Sequence, residues 1–394
     1  MLRRNDRKLD NIPAGPLGII ALDGCQIMGN KVNDYLVQWR KEDGPEYKND
    51  IVFSGYERDN YLIGAKVPRF GSGEGKGSLD ESIRGRDIYL MVDVCNYSLT
   101  YTMNGRTNHM SPDDHYQNLK RVIAAIGGKA KRINVIMPFL YESRQHKRSG
   151  RESLDCALAL QELVRMGVDN IITFDAHDPR VQNAIPLHGF ETIRPTYQFV
   201  KALLRNVTDL KVDSDHMMAI SPDEGATERA VYLANVLNLD MGMFYKRRDY
   251  TKVVNGRNPI VAHEFLGSSV EGKDVIILDD MISSGESILD VARQLKQRKA
   301  KRVFAAATFG LFTNGLEKFD QAYEEGIIDA VLTTNLIYQT PELLQRPYYI
   351  SCGMSKYVAL LIDTLNHDGS ISDILDPSER IQDVVTRYKN GEAI

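Results

Sequence analysis

The chain has 394 residues, 43% of them hydrophobic and 26% charged, with a formal net charge of −4. That length suits two domains, and the composition is that of a soluble globular protein. The charge supplies no polycation for nucleic acid, and no apolar run approaches membrane-spanning length. The opening segment MLRRNDRKLDNIPAGP is polar and does not read as a signal peptide. Cys25, Cys95, Cys156 and Cys352 are scattered, with no C-x-x-C pair. This excludes a zinc or disulfide framework and predicts a cytoplasmic protein.

In chain order, RFGSGEGKGSLDESIRGRD (69–87) first resembles a phosphate loop. It fails as a Walker motif, because Phe70 stands where glycine is needed and Gly77 follows Lys76 where Ser or Thr is required. The segment 84–96 then reads as a turn, an apolar strand and an acid. Residues 97–116, rich in Asn, Thr and Pro, read as a long loop. Leu119, Val122, Ile123 and Ile126 follow the helical period. An apolar strand enters the basic segment PFLYESRQHKR (138–148). TFDAH (173–177) ends the next strand with Asp175 and His177. A lone His there is more often structural than a ligand, and Mg2+ prefers oxygen donors.

A domain boundary is expected at Ile193-Arg194-Pro195, giving domains 1–195 and 196–394. SPDEGATERA (221–230) carries Asp223 just after an apolar segment, where a turn or helix cap is the ordinary reading. Lys246, Arg247 and Arg248 form a basic triplet, and 249–263 reads as a second long loop. In VIILDDMISSGES (275–287) an apolar strand runs into Asp279 and Asp280, then small residues, then a helical pattern marked by Ile288, Ala292 and Leu295. Such a strand–turn–helix junction points backbone N–H groups and the helix dipole at an anion. Ser283, Ser284 and Ser287 add hydroxyls, and Gly285 allows close approach. Two carboxylates beside a phosphate need their own partner, either sugar hydroxyls or hydrated magnesium. The pattern therefore asks for a phosphorylated sugar. The tail 376–394 reads as a polar helix beyond this region.

The chain repeats itself. RGRDIYLMVDVCN (84–96) matches EGKDVIILDDMIS (271–283), residues 118–141 match 289–312 through a shared Lys-Ala-Lys-Arg, and 167–177 match 326–336. Three matches in one order indicate two copies of a β-α-β unit. Continuous apolar strands alternating with helices predict an α/β fold with parallel sheets buried on both faces, and ligands at the carboxyl ends of strands.

From about residue 66 to 375 the chain resembles the phosphoribosyl pyrophosphate synthetases, the ribose-phosphate pyrophosphokinase family. The resemblance implies two tandem phosphoribosyltransferase-like domains, each a mostly parallel sheet flanked by helices. It implies transfer of the β,γ-diphosphoryl group of ATP to ribose 5-phosphate, with Mg2+ and release of AMP. The carried-over roles are Lys246 and Arg248 for catalysis. Asp279, Asp280, Ser283, Ser284, Gly285 and Ser287 would bind ribose 5-phosphate. Phe70, Ser72, Glu74, Arg144 and Gln145 would bind ATP, and His177 and Asp223 would bind the metal. A homo-oligomer is implied, hexameric or built of dimers. The chain departs from the family pattern at Ser72, His146 and Ser283, where the family has acids, and at Glu286, where it has glycine. A phosphoribosyltransferase and a non-catalytic regulatory homologue remain as alternative readings.

Overall fold

The computed structural model describes residues 11–47, 55–248 and 260–394, with backbone only at 43–47, 246–248 and 260–263. The first half contains β1 (Leu17–Ala21), α1 (Gln26–Tyr47), the short β2 (Ala65–Lys66) and β3 (Ser78–Leu79), and β4 (Asp87–Met91). It continues with β5 (Thr100–Met103), β6 (Arg106–His109), α2 (Pro112–Ile126), β7 (Arg132–Ile136), α3 (Asp155–Arg165), β8 (Asn170–Phe174) and β9 (Gly189–Ile193). The second half begins with α4 (Thr196–Asn206), β10 (Met217–Ser221), α5 (Thr227–Leu237), β11 (Asp240–Arg248), β12 (Ile260–Leu266) and β13 (Asp274–Ile282). Then come α6 (Glu286–Gln297), β14 (Arg302–Gly310), α7 (Glu317–Glu324), β15 (Ala330–Thr334), α8 (Pro341–Leu344), β16 (Tyr349–Cys352), α9 (Ser355–Asn366), α10 (Ser372–Leu375) and α11 (Ser378–Lys389).

The strands form two large sheets, ordered β1-β4-β7-β8-β9 and β12-β11-β10-β13-β14-β15-β16. The first is parallel throughout, and the second is parallel except where β11 meets β12. The predicted repeat is visible in this order, with β4, β7 and β8 matching β13, β14 and β15. Its sequence signature has a physical cause. Arg132, the last residue of the first Lys-Ala-Lys-Arg, donates from Nε and Nη2 to both oxygens of Asp87 at 2.8 and 2.7 Å. Arg302 grips Asp274 in the same way, at 2.8 and 2.6 Å. Each copy thus opens two neighbouring strands with one forked, charge-assisted bridge. A second pair follows suit: Asp169 and Asp329 each accept the first free backbone N–H of β7 and β14, at Ile133 and Val303, both at 2.8 Å.

The halves are interlocked. α4 follows the last strand of the first sheet, yet packs on β15 and β16 of the second. α9 follows the last strand of the second sheet, yet packs along α1. Val358, Leu361 and Ile362 of α9 therefore share one core with Leu17, Val32, Leu36 and Trp39. The helical positions Leu119, Val122, Ile123, Ile126, Ile288, Ala292 and Leu295 are all buried, as their spacing predicts.

Three segments differ from their sequence reading. Residues 97–116 are not a plain loop. Thr100–Met103 and Arg106–His109 pair antiparallel about Asn104-Gly105, both at positive φ, and Ser111 caps α2 through a reciprocal bond with Asp114. The strands were masked by their exposed, polar side chains, although Asn-Gly is a hairpin signal. Within 249–263, Ile260 onward belongs to β12, paired antiparallel with β11, while 249–259 lie outside the described residues. The tail helix is amphipathic rather than polar. Ile381, Val384 and Val385 of α11 are buried with α4 and α5 in the second half's core.

Candidate active site at the seam of the two halves

β8 ends at Phe174, and Asp175 turns the chain sharply at φ 42°. Its buried carboxylate crosses to the second half. Oδ1 accepts from Arg229 Nε of α5 at 2.8 Å, and Oδ2 accepts from Thr308 Oγ1 of β14 at 2.7 Å. Burial raises the Asp175 pKa, and the Arg229 charge works against that rise. Two residues on, His177 Nδ1 meets Asp280 Oδ2 at 2.7 Å. The Asp280 side chain is only 5% exposed, that of His177 37%. Burial alone would raise Asp280. The His177 hydrogen bond and the Arg229 charge reverse this and hold it below its ordinary value. His177 is raised in turn, chiefly by its bond to Asp280.

Asp279 and Asp280 do not lie beyond the strand, as a strand-mouth reading expects. They lie within β13, whose pairing with β14 continues to Ile282. Pairing with β10 stops at Ile277, so the acids border the space where β10 has ended. Adjacent strand residues face opposite ways, and the two carboxylates have different surroundings accordingly. Asp280 faces His177. Asp279 accepts the Asp280 N–H at 2.8 Å, and its pKa is pushed well up by burial, then by the Asp280 and Asp223 charges. Asp223 orders the turn before α5: its Oδ1 accepts from the Gly225 and Ala226 N–H groups at 2.9 and 3.3 Å.

The junction after β13 has the predicted strand–turn–helix form. Ser283, Ser284 and Gly285 lead into α6, with Ser287 in its first turn. Gly285 is required twice over. Its φ is 81°, and a Cβ there would stand 2.3 Å from the Phe319 ring.

On the first half, Arg144 and Gln145 follow β7. Gln145 Nε2 donates to the Ser153 carbonyl at 2.9 Å, and the exposed Arg144 is close enough to His177 to oppose its protonation. His146 Nε2 lies 3.4 Å from Asp178 Oδ2, with its ring centroid 5.4 Å from that of His177. Asp178 is held down to about 2, mainly by Arg180. The Phe70–Glu74 loop closes on itself through Phe70 N–H to Glu74 O at 2.8 Å, and Ser72 Oγ donates to Glu74 Oε2 at 2.9 Å. The β5–β6 hairpin braces it. Asn104 N–H donates to Gly71 O at 2.9 Å, and Arg69 lies 4.6 Å from the Tyr101 ring. Phe70 is 57% exposed. Among the described residues, no hydrogen bond or ion pair joins this loop to Arg144 or His177. Lys246 and Arg248 have their backbone on β11, opposite β12, and their side chains lie outside the described residues.

The structure therefore joins His177, Asp279, Asp280, Asp223 and the 283–287 turn across the seam. It adds Arg229 and Thr308, which sequence reasoning does not place in the site, as partners of Asp175, whose place at the carboxyl end of a strand the sequence does show. Arg229 had one available signal, its position beside Asp223 in SPDEGATERA. Among the described residues no three His, Cys, Asp or Glu side chains gather to hold an ion. Mg2+ takes one or two carboxylates and completes its shell with water and substrate phosphates. The mutual repulsion of Asp279, Asp280 and Asp223 favours a cation there. With His177 Nδ1 committed to Asp280, the ring offers an ion Nε2.

Comparison with known proteins agrees with this architecture. The model of the N-terminal domain of ribose phosphate pyrophosphokinase matches residues 17–167, and that of the phosphoribosyl transferase domain matches 191–343. A ribose-phosphate pyrophosphokinase of Mycoplasma genitalium is 30% identical over 273 residues, covering 68% of this chain and 74% of that protein. That of Pasteurella multocida is 29% identical over 311 residues, covering 78% and 90%. The crystal structure of phosphoribosylpyrophosphate synthetase from Mycobacterium smegmatis shares the fold, with a TM-score of 0.69 at 22% identity over 90% of this chain and 99% of that one. With both domain models matched in order and a relative this similar over most of its length, the chain belongs to the ribose-phosphate pyrophosphokinase family.

Proposed function

We propose that this chain is an active ribose-phosphate pyrophosphokinase, making 5-phosphoribosyl 1-pyrophosphate and AMP from ribose 5-phosphate and ATP. The observation that carries the reading is the cross-seam cluster: Asp280 held by His177 beside an open strand–turn–helix junction. Backbone N–H groups at the start of α6 and the Ser283, Ser284 and Ser287 hydroxyls would hold the 5-phosphate. Asp279 and Asp280 would take the sugar hydroxyls. Arg144 and Gln145 would meet the ATP phosphates, and Phe70, Ser72 and Glu74 the adenine. The anomeric hydroxyl oxygen bonds to the β-phosphorus as the bond from that phosphorus to the α-phosphate oxygen breaks; the hydroxyl proton passes to water, and the α-phosphate leaves on AMP. Such a transfer depends on positioning and charge stabilisation, which we assign to Lys246 and Arg248. Asp223 and His177 would hold Mg2+, which when bound neutralises charge on the transferring phosphates.

We further propose a cytoplasmic homo-oligomer, a hexamer or its dimer building block, in which the Phe70–Glu74 loop completes a neighbour's ATP site. The exposure of Phe70 supports this. Among the described residues no helix is long and apolar enough to cross a membrane.

The test is incubation with ATP, Mg2+ and ribose 5-phosphate, following AMP by chromatography. Production of AMP dependent on ribose 5-phosphate is expected. Its absence in protein that still binds ribose 5-phosphate would favour a non-catalytic homologue.

A further inference from the structure

A cavity of about 340 Å³ opens where the halves exchange helices. Its walls come from α4, the end of β16, the first half of α9, Tyr35 of α1 and Arg380 of α11. None of its lining residues belongs to the seam cluster. Four cationic side chains line it, Lys201, Arg205, Lys356 and Arg380, and among the described residues no aspartate or glutamate does. Asp383 acts on Tyr197 from outside the lining.

Elsewhere arginines pair with side-chain carboxylates: Arg132 with Asp87, Arg302 with Asp274, and Arg346 with Asp320. Among the described residues Arg205 and Arg380 pair with no aspartate or glutamate side chain. Arg205 Nε donates to the Ile394 main-chain oxygen at 2.8 Å. Arg380 Nη2 donates to the carbonyls of Asp373 and Ile374 at 3.0 and 3.2 Å. These contacts place the guanidinium groups. Lys201 and Lys356 make no ion pair among the described residues. The Lys201 ammonium lies 5.8 Å from the Tyr197 ring centroid, and the Arg380 guanidinium 5.3 Å from it. Burial, then the charges of Arg205, Lys356 and Arg387, lower the Lys201 pKa. Like charges gathered around one concavity raise the local concentration of anions, and a chain of net charge −4 does not gather them by average composition.

We propose that this cavity is a binding site for a small anion bearing two phosphate groups, separate from the 283–287 junction. A single phosphate carries only about −1.5 to −2 charge and would leave part of the cluster uncompensated. The Nε–Nη2 edge of Arg205 is held by the Ile394 oxygen, but its charge remains, and Arg380 keeps Nε and Nη1 beyond its carbonyl contacts for phosphate oxygens. Two ammonium groups supply the remaining charge. Because α4 and α11 pack in the second half while α1 and α9 pack in the first, such a ligand ties the halves together.

The experiment is titration calorimetry of the full chain with inorganic pyrophosphate, with and without saturating ribose 5-phosphate. The second condition separates binding at the 283–287 junction. Wild type should retain a pyrophosphate site in both conditions. Lys201→Ala with Lys356→Ala should weaken that site at least about tenfold, through loss of two charge-assisted contacts. The control Lys41→Ala with Lys299→Ala removes the same net charge from exposed positions and should leave it unchanged. Thermal melting guards against misfolding: without ligand the cavity variant should melt no lower than wild type, since repulsion is relieved, while gaining less from pyrophosphate. Undiminished binding in the cavity variant, or equal loss in the control, overturns the proposal. Inorganic phosphate binding as tightly as pyrophosphate overturns the two-phosphate assignment.

Discussion

The two halves begin their strands alike and end them differently. Asp87–Arg132 and Asp274–Arg302 are the same bridge in the same place. Counting on from those aspartates, Asp93 in the first half occupies the position of Asp280 in the second. Both acids are buried and both reach across the seam. Asp93 meets only neutral donors, the N–H groups of Cys95 at 2.8 Å and Tyr338 at 2.7 Å, and burial pushes its pKa to about 7. Asp280 meets His177 and the Arg229 charge, and its pKa is lowered. The chain then departs into a hairpin after β4 and into the Ser-Ser-Gly junction after β13. One duplicated scaffold thus holds a neutral clamp at one strand end and a charged site at the other. The difference comes from which partners each end meets.

Removing the charge that separates these environments should have the largest effect. Arg229 pairs with Asp175 at side-chain exposures of 12% and 6%. Arg229→Met leaves buried carboxylates uncompensated and should cost about 3–5 kcal/mol in denaturant unfolding. An unaltered midpoint would show that the cluster does not depend on Arg229.

Next is the pH response of Asp93. Its folded pKa of about 7 stands above the ordinary 3.8, so the folded state holds the extra proton between those values. Stability from this group is therefore lost as pH rises through that window, by up to about 1.4 kcal/mol per pH unit. Asp93→Asn should flatten the slope and gain on wild type above pH 7. Asp280 works in the opposite sense, since its lowered pKa stabilises the fold until pH falls through it. Melting temperature against pH for both proteins decides the matter, and an unchanged slope in Asp93→Asn would end the contrast.

The shared bridge offers a smaller, internal comparison. Asp87 also accepts from Asn134 and Asn366 Nδ2, at 2.8 and 2.9 Å, whereas Asp274 serves Arg302. Asp87→Ala should therefore cost about 1–3 kcal/mol more than Asp274→Ala, because it strands two further buried donors. Equal costs would mean that Asn134 and Asn366 find other acceptors.

The smallest effect concerns the first half's exposed loop. Ser72 donates to Glu74 and is shorter than aspartate. An aspartate there would accept from adenine's amine and repel a carbonyl. Ser72→Asp should raise ATP preference over GTP by about 1 kcal/mol in kcat/KM. A wild type that already rejects GTP as strongly as the variant would remove Ser72 from nucleotide choice.

The sequence by itself determined the elements and their duplication. Helical spacing marked the buried faces of α2 and α6, apolar runs marked the parallel strands, and Ser283–Ser284–Gly285 marked the strand–turn–helix junction. These signals were legible because they act within a few residues, through backbone period and turn chemistry. The hairpin at Asn104-Gly105 was legible too, but its polar strands outweighed the turn. Other features were decided only by tertiary structure. His177 and Asp280 are 103 residues apart, Asp175 and Arg229 are 54 apart, and Asp93 meets Tyr338 245 residues away. The exchange of α4 and α9 between sheets carries no local signal at all. Nor does the gathering of Lys201, Arg205, Lys356 and Arg380 around one cavity. The reason is physical: a side chain's pKa and partners depend on which strand ends are packed together, and burial and charge act through space rather than along the chain.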